Sequence, residues 1–258
     1  MKQFIVDTFT EKVFKGNPAA VCLPDRLLTD DLMLAIANEN NLSETAFIVK
    51  DRDKYILRSF TPEEEVDFCG HATFAAAYIV FLILEREEDT IYFETKSGTL
   101  PVTRKGDIYN VDLPAFELEK IAVTDEMIEA VGARPKEAYM GRDLLLVMED
   151  DFDLTGYEPD ILKIRALDGT MLHLTKAGDG EYDCFSRSFA PKLGVDEDPV
   201  CGSGHCHISV YWAQKLNKPD ILAYQASRRG GILDTHGAPG HVNLSGHAVM
   251  FYRGDIHI

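Results

Sequence analysis

A motif that occurs twice constrains this chain more than any other feature. The run Arg-Ser-Phe-Thr-Pro at residues 58–62 precedes Cys69-Gly70, and the run Arg-Ser-Phe-Ala-Pro at residues 187–191 precedes Cys201-Gly202. Each half of the 258-residue chain therefore has a strand-like run, a turn and a Cys-Gly pair at the start of a helix-like stretch. We predict a duplicated fold whose two matched half-sites form one composite site, an arrangement more typical of an enzyme than of a binding module.

Strand-like and helix-like segments follow the same plan in both halves. Helices are predicted at residues 29–39, 71–84 and 124–132 and from Ser203 onwards. Short apolar runs predict strands at residues 4–9, 19–23, 46–49, 55–60, 90–95, 98–104 and 108–113, and again at residues 143–148, 171–175, 182–189, 222–226, 231–235, 241–244 and 248–253.

The predicted helix over residues 71–84 is apolar on nearly every side. A helix without a polar face has to be enclosed, so we expect each half to be a sheet wrapped around one central helix. We place an N-terminal domain at residues 1–116 and a C-terminal domain at residues 117–258, and the last strand could return to the first domain.

Composition and charge narrow the classes of function. The formal net charge of −17 argues against nucleic acid or an anionic membrane as a partner, because both repel an acidic surface. The first residues lack the features of a signal peptide, and the longest apolar run, residues 74–84, is too short to span a bilayer. We therefore predict a cytoplasmic protein whose five cysteines are reduced thiols.

The two Cys-Gly pairs suggest a chemistry. A helix that begins after a glycine presents unpaired N–H groups and a positive dipole end, which suit a carboxylate and an enolate-like charge beside it. Cys69 and Cys201 could act as an acid and base on opposite faces of a substrate, since a helix N-terminus lowers a thiol pKa from about 8.5 toward neutral. The same position predicts a neutral imidazole at His71. Alternatively, each Cys-Gly pair is only a tight turn before a helix and each cysteine only a small buried side chain. The spacing of the motifs does not decide between these interpretations.

A metal site is not predicted. His205, Cys206 and His207 are adjacent, but residues two apart on a helix point in different directions. The chain also has no Cys-x-x-Cys or His-Glu-x-x-His motif. We therefore predict no metal ion.

Four ordered motifs connect the chain to a known family. They are Gly-Asn-Pro-Ala-Ala-Val at residues 16–21, Asn-Leu-Ser-Glu-Thr-Ala-Phe at 41–47, Asp-Phe-Cys-Gly-His-Ala-Thr at 67–73 and Glu-Asp-Pro-Val-Cys-Gly-Ser-Gly at 197–204. Together with residues 225–231, this pattern resembles the PhzF (phenazine biosynthesis-like) family along almost the whole chain. The resemblance implies the α+β fold of diaminopimelate epimerase, with two similar domains. Each would be a curved, barrel-like, mostly antiparallel sheet around a central helix, and the active site would lie between them. It also implies a cofactor-independent isomerase, often a homodimer.

The resemblance implies roles for individual residues. Glu44 would carry a proton between substrate carbons, with His71, Asp198 and Ser203 in support. Gly70, Ala72, Gly202, Ser203, Gly204 and Asn17 would bind a small carboxylate substrate, largely through N–H groups at the two helix starts.

Cys201 departs from the family pattern, because members that resemble the phenazine enzyme usually have threonine there. Two mechanisms follow, a one-base proton shift by Glu44 and a two-base inversion by Cys69 and Cys201, as in racemases and epimerases of the same fold. We favour Glu44, because its seven-residue motif matches the family without a break. A catalytically silent binding protein on the same scaffold is the third hypothesis.

Overall fold

The computed structural model describes residues 1–67, 69–85 and 87–258. Phe68, which belongs to one of the predicted motifs, and Arg86 lie outside these ranges. The chain forms two compact units, one of Met1–Asp112 with Ser245–Ile258 and one of Leu113–Leu244. The division after Asp112 comes earlier than the predicted boundary at residue 116. Within the described ranges, no helix is long and apolar enough to cross a membrane.

The elements before residue 115 are mostly strands. Two α-helices interrupt them, α1 (Asp30–Asn40) and α2 (Gly70–Ile79). The strands are β1 (Lys2–Thr8), β2 (Asn17–Leu23), β3 (Glu44–Asp51), β4 (Lys54–Phe60), β5 (Glu65–Val66), β6 (Thr90–Thr95), β7 (Gly98–Lys105) and β8 (Ile108–Pro114).

The remaining elements repeat this plan with additions. The helices are α3 (Asp125–Val131), α4 (Ile161–Ala166) and α5 (Gly202–Leu216). The strands are β9 (Glu119–Ile121), β10 (Glu137–Met140), β11 (Leu144–Val147), β12 (Leu172–Ala177), β13 (Cys184–Ala190), β14 (Val195–Asp198), β15 (Asp220–Gln225), β16 (Gly231–Ala238), β17 (His241–Gly246) and β18 (Ala248–Asp255). The sequence did not predict α4, β5, β9, β10 or β14, all of which are short.

The predicted duplication is visible in the strand pairing. In the first unit β2 runs parallel to β3, β3 antiparallel to β4, and β4 antiparallel to β5 and parallel to β6. In the second unit β11 runs parallel to β12, β12 antiparallel to β13, and β13 antiparallel to β14 and parallel to β15. The predicted α+β class is therefore confirmed, with parallel pairs inside mostly antiparallel sheets.

The arginines of the repeated motif make the same contact in both units. Nε of Arg58 donates to Glu65 at 2.7 Å, and Nε of Arg187 donates to Glu197 at 2.7 Å. Each Nη2 donates to the second oxygen of the same carboxylate, so both pairs are bidentate. Each pair ties the strand of the motif to the short strand before a Cys-Gly pair, and this explains why the arginine recurs in the sequence.

The enclosed helix of the first unit differs from the prediction at its end. From Gly70 to Ala77 the residues of α2 are buried, as predicted for a helix without a polar face. After Ile79 the chain continues as a π-helical turn, Val80–Leu84, in which Phe81 is buried against the ring of Tyr109. Leu82 and Leu84 are partly exposed, so the enclosure ends before residue 84.

The long helix of the second unit, α5, also lies against strands. Its Ile208, Tyr211 and Trp212 pack with Leu145 of β11 and Ile221 of β15 in one apolar cluster. This burial fixes the helix relative to the sheet of its own unit, and therefore fixes the position of its first turn, where the second Cys-Gly pair lies.

Candidate active site

Glu44 lies at the first position of β3, opposite Ala19 in the parallel pairing with β2. Asn17, at the start of β2, is fully buried, and its Oδ1 accepts a hydrogen bond from the hydroxyl of Ser43 at 3.2 Å. The backbone carbonyl oxygen of Asn17 accepts another hydrogen bond from the hydroxyl of Thr8 at 3.0 Å. Asn17, predicted to bind substrate, therefore holds the residue next to Glu44 in place.

Glu44, His71 and Cys69 lie in a row in the first unit. Nε2 of His71 is 2.8 Å from Oε2 of Glu44, and Nδ1 of His71 is 3.3 Å from Sγ of Cys69. The His71 side chain is 4% exposed and that of Glu44 is 15% exposed. Although they are close, Oε2 of Glu44 and Nε2 of His71 make no directed hydrogen bond to any residue that the structure describes. Both atoms therefore have hydrogen-bonding capacity that a substrate could use.

The charges in this row overturn the expectation of a neutral imidazole at His71. Burial opposes the imidazolium, but the acidic groups of Cys69 and Glu44 on either side outweigh it and raise the pKa of His71 well above its usual value. The pKa of Cys69 is raised too, by burial first and by the Glu44 carboxylate second. The expectation that the pKa of this thiol is lowered is therefore wrong.

Cys201 plays a different part from Cys69. Its side chain is buried, and Sγ accepts a hydrogen bond from the N–H of Gly204 at 3.2 Å, so the thiol caps the N-terminus of α5. Burial first and the neighbouring Asp198 second raise the pKa of Cys201 well above its usual value. The expectation that a helix N-terminus activates this thiol is therefore wrong as well.

The turn before α5 is held by the segment that the sequence picked out at residues 225–231. The buried Gln225 accepts a hydrogen bond from the N–H of Cys201 at 2.8 Å and donates one to the carbonyl oxygen of Asp198 at 2.6 Å. The hydroxyl of Ser227 donates to the carbonyl oxygen of Pro199 at 2.6 Å. Asp198, at the end of β14, is thereby fixed beside Cys201 within the second unit.

The predicted donors lie at the first turns of the two helices. Gly70 and Ala72 are in the first turn of α2, and Gly202, Ser203 and Gly204 are in the first turn of α5. The N–H of Gly204 is already used by Cys201, whereas the first N–H groups of a helix have no partner within it. Gly70, Gly202 and Ser203 are thus the better placed donors.

The sequence reasoning missed a charged pair beside Ser203. Nη2 of Arg142 donates to Oγ of Ser203 at 3.2 Å and to Oδ2 of Asp143 at 2.6 Å. Asp143 is fully buried, and its Oδ2 is 3.1 Å from Nε2 of the equally buried His173. The available signal was an Arg-Asp pair next to the wholly apolar strand β11, where a buried charge requires a partner.

Asp143 is charged in spite of its burial. Burial by itself would raise the pKa of Asp143, but hydrogen bonds from His173 and Arg142 hold it well below its usual value. His207, on α5, is also buried, and burial together with the nearby His173 lowers its pKa to about 3. Its Nε2 accepts the N–H of Asp143 at 3.3 Å.

Two of these clusters have the residue types of a metal site. Glu44, Cys69 and His71 in one unit, and Asp143, His173 and His207 in the other, each bring three potential ligand atoms within 4.8 Å of one another. In the second cluster the guanidinium of Arg142 already neutralises the carboxylate. In the first, His71 is the counter-ion of Glu44. The expectation of no metal ion stays a prediction, and these two clusters are where it could be tested.

Comparison with known proteins places the chain in a family. A family model described as phenazine biosynthesis-like protein matches residues 6–254. An uncharacterized isomerase of Pseudomonas aeruginosa is 41% identical over 255 residues, which cover 99% of this chain and 98% of that protein. The crystal structure of a PhzF-family phenazine biosynthesis protein from Enterococcus faecalis matches with a TM-score of 0.96 and 44% identity, over 100% of this chain and 99% of that one.

A more distant structure shares the fold. A hydroxyproline epimerase from Agrobacterium vitis, crystallised with trans-4-hydroxy-L-proline, matches with a TM-score of 0.62 over 99% of this chain and 90% of that one. At 11% identity this likeness concerns the fold alone. The family model and the relative with 41% identity both match almost the whole chain. As the ordered motifs predicted, the chain belongs to the phenazine biosynthesis-like (PhzC-PhzF) family.

Proposed function

We propose that this protein is an isomerase that works without a cofactor on a small carboxylate-bearing carbon acid, with Glu44 as the base. Glu44 takes a proton from carbon, and the electron pair of the C–H bond moves into the conjugated carboxylate as an enolate-like charge. Glu44 then returns the proton to carbon at a new position. The name of the isomerase from Pseudomonas aeruginosa supports this class of reaction.

The observation that carries the proposal is the state of the Glu44–His71 pair. A buried carboxylate oxygen and a buried ring nitrogen, 2.8 Å apart, make no directed hydrogen bond to the residues described. Unsatisfied buried polar atoms are costly in a fold and are expected where a ligand completes them. The adjacent Cys69 and Glu44 raise the pKa of His71 and so favour its imidazolium form, which would stabilise the Glu44 carboxylate and donate to the substrate.

The two thiols are less suited to the chemistry. A two-base inversion needs one thiolate at neutral pH, and the pKa values of Cys69 and Cys201 are both raised by burial. The sulfur of Cys201 is also used to cap α5. These contacts support the one-base mechanism over the two-cysteine alternative.

In this proposal the start of α5 binds the negative charge of the substrate. The N–H groups of Gly202 and Ser203 have no partner within the helix, and the dipole of this 15-residue helix favours an anion at that end. The same donors would stabilise the enolate-like charge in the transition state. That the half-sites of both units serve one substrate remains a prediction.

Isotope exchange tests the proposal. The protein is incubated in D₂O with a panel of 2-amino acids, 2-hydroxy acids and cyclic unsaturated amino acids, and loss of C–H signals is followed by ¹H NMR. We expect exchange with at least one compound, and Glu44→Gln should slow it by roughly 100-fold or more because a general base contributes about that much. Glu39→Gln, a charge-matched change at an exposed position of α1, should leave it unchanged. The mechanism is ruled out if Glu44→Gln exchanges at the parental rate. It is also ruled out if the parent exchanges no compound of the panel.

A further inference from the structure

The guanidinium of Arg142 is aimed at the first turn of α5 by a chain of buried groups. Its Nη2 contacts Oγ of Ser203 at 3.2 Å, and its Nε and Nη2 donate to both oxygens of Asp143 at 2.6–3.1 Å. His173 contacts Asp143 on one side and the hydroxyl of Ser188 on the other, at 3.1 and 2.9 Å. Asp143, His173 and Ser188 are all fully buried.

The flat face of the guanidinium is fixed as well. Its central carbon lies 4.7 Å from the centroid of the Phe116 ring, and the other face of that ring stacks on His207 at 4.3 Å and 13°. The residue before Arg142 is Gly141, where a Cβ atom would lie 2.8 Å from the carbonyl oxygen of Glu117 and 3.1 Å from the His207 ring. A close approach of backbone and ring therefore requires glycine there.

This arrangement leaves part of the cation unused. Arginine has five N–H donors, and Asp143 and Ser203 engage those of Nε and Nη2. Among the described residues, Nη1 has no hydrogen-bond partner, and the Arg142 side chain is 39% exposed. A buried carboxylate is expensive to keep, and here it orients a partly exposed cation whose Nη2 contacts Ser203 in the first turn of α5.

We infer that Arg142 is a specificity residue that binds the oxyanion of a planar carboxylate together with Ser203 and the first N–H groups of α5. Asp143 and His173 are positioning residues that act through Arg142. This inference rests on the proposed function for its carboxylate substrate, and it adds the group that distinguishes a carboxylate from a neutral amide of the same shape.

Two pairs of probes test the inference by ¹⁹F NMR titration. They are 4-fluorobenzoate with 4-fluorobenzamide, and trifluoroacetate with trifluoroacetamide, so each pair differs chiefly in charge. The parent is compared with Arg142→Gln, with Arg142→Lys, and with Arg134→Gln, which removes an exposed arginine of the same unit. Because Arg142→Gln leaves the buried Asp143 without its positively charged partner, the variant could be unstable, and its folding is checked by the fluorescence of Trp212. Arg142→Lys retains a positive charge and serves as the second variant.

We expect the parent to bind at least one carboxylate more tightly than its amide. Arg142→Gln should weaken carboxylate binding roughly 10- to 100-fold, the value of a hydrogen bond to a charged group, and leave amide binding unchanged. The carboxylate affinity of Arg142→Lys should lie between those of the parent and Arg142→Gln, because a point charge cannot make the forked contact. Arg134→Gln should bind both probes as the parent does. The inference is overturned if the parent does not discriminate, or if Arg142→Gln or a folded Arg142→Lys retains full carboxylate affinity. An equal loss of affinity for the carboxylate and the amide in the folded variants also overturns the inference, because it indicates that the role of Arg142 is purely structural.

The outcome is separable from that of the isotope exchange. If the carboxylate preference depends on Arg142 but no compound exchanges, the anion site stands and the isomerase proposal fails. If exchange depends on Glu44 while Arg142→Gln binds carboxylates as the parent does, the isomerase proposal stands and this inference fails.

Discussion

The second unit should lose stability as the pH falls from 7.5 to 5, because two histidines of α5 are buried in neutral form. His205 and His207 are fully buried, and burial lowers their pKa values to about 4 and about 3. Nδ1 of His205 donates to the carbonyl oxygen of Cys201 at 2.7 Å, and Nε2 of His207 accepts the N–H of Asp143 at 3.3 Å. The His207 contact requires an unprotonated Nε2, whereas the His205 contact is compatible with either form, and burial is what keeps His205 neutral.

The direction and size follow from proton linkage. In the unfolded chain a histidine takes up a proton near pH 6.5, but in the folded unit neither ring does so until about pH 4 or 3. Their contribution to stability is therefore complete above pH 6.5 and is lost as the pH falls below it. Between pH 7.5 and 5 each ring costs about 2 kcal/mol of the free energy of unfolding, or about 4 kcal/mol together. The window ends at pH 5 because carboxylates contribute below it.

Urea unfolding measured by tryptophan fluorescence is the assay. The chain has one tryptophan, Trp212, and it lies in the apolar cluster of α5, so the signal reports on the unit that contains both histidines. His207→Gln retains an acceptor for the Asp143 N–H but cannot titrate. We expect this variant to lose about 2 kcal/mol less than the parent between pH 7.5 and 5.

A histidine on the surface provides the control. His236 on β16 has a side chain that is 56% exposed, so His236→Gln should preserve the full pH dependence of the parent. The reasoning is refuted if His207→Gln loses as much stability between pH 7.5 and 5 as the parent does.

Three further changes should also be measurable by urea unfolding. Glu197→Gln leaves the nearly buried Arg187 without its bidentate partner and should cost about 2–4 kcal/mol. Gly204→Ala places a Cβ atom 2.7 Å from Cε1 of His173, so it should destabilise by about 1–3 kcal/mol although alanine favours helices. Cys201→Ala removes the cap of α5 and should cost about 1 kcal/mol, while isotope exchange at carbon continues.

Matched changes separate these effects from general ones. Lys163→Gln breaks an exposed pair with Asp160 and should cost no more than about 1 kcal/mol, so an equal loss in Glu197→Gln contradicts the first expectation. A Cβ at Gly237 meets nothing closer than 3.7 Å, so Gly237→Ala should be milder than Gly204→Ala. Loss of exchange in a folded Cys201→Ala would return the thiol pair to consideration.

Much of the fold was predictable because it depends on local pattern. Thr124 caps α3 and Gly132 closes it, as their residue types predict. The apolar run of α2 is enclosed as expected, because a helix without a polar face has no stable alternative. Short elements such as α4 escaped prediction, because six residues carry too little periodicity to distinguish a helix from a turn.

The site was predictable only in part, because its electrostatics depend on residues distant in the chain. Sequence alone placed His71 at a helix N-terminus and predicted a neutral ring, but Glu44 on β3 comes within 2.8 Å and raises its pKa. The sequence predicted a strand that begins at Asp143 and assigned no role to Arg142. Only the pairing of β11 with β12 brings His173 under Asp143, and only the packing of α5 brings Ser203 to Arg142.

By itself, the sequence determined the duplication, the two Cys-Gly helix starts and the family, because each is written in contiguous residues. Tertiary structure decided what those residues can do. Burial and the nearest opposite charge set the protonation of a side chain, and both come from segments far apart in the chain. For that reason Cys69 and Cys201, equivalent in the sequence, differ in the folded units: one sulfur faces an imidazole and the other caps a helix.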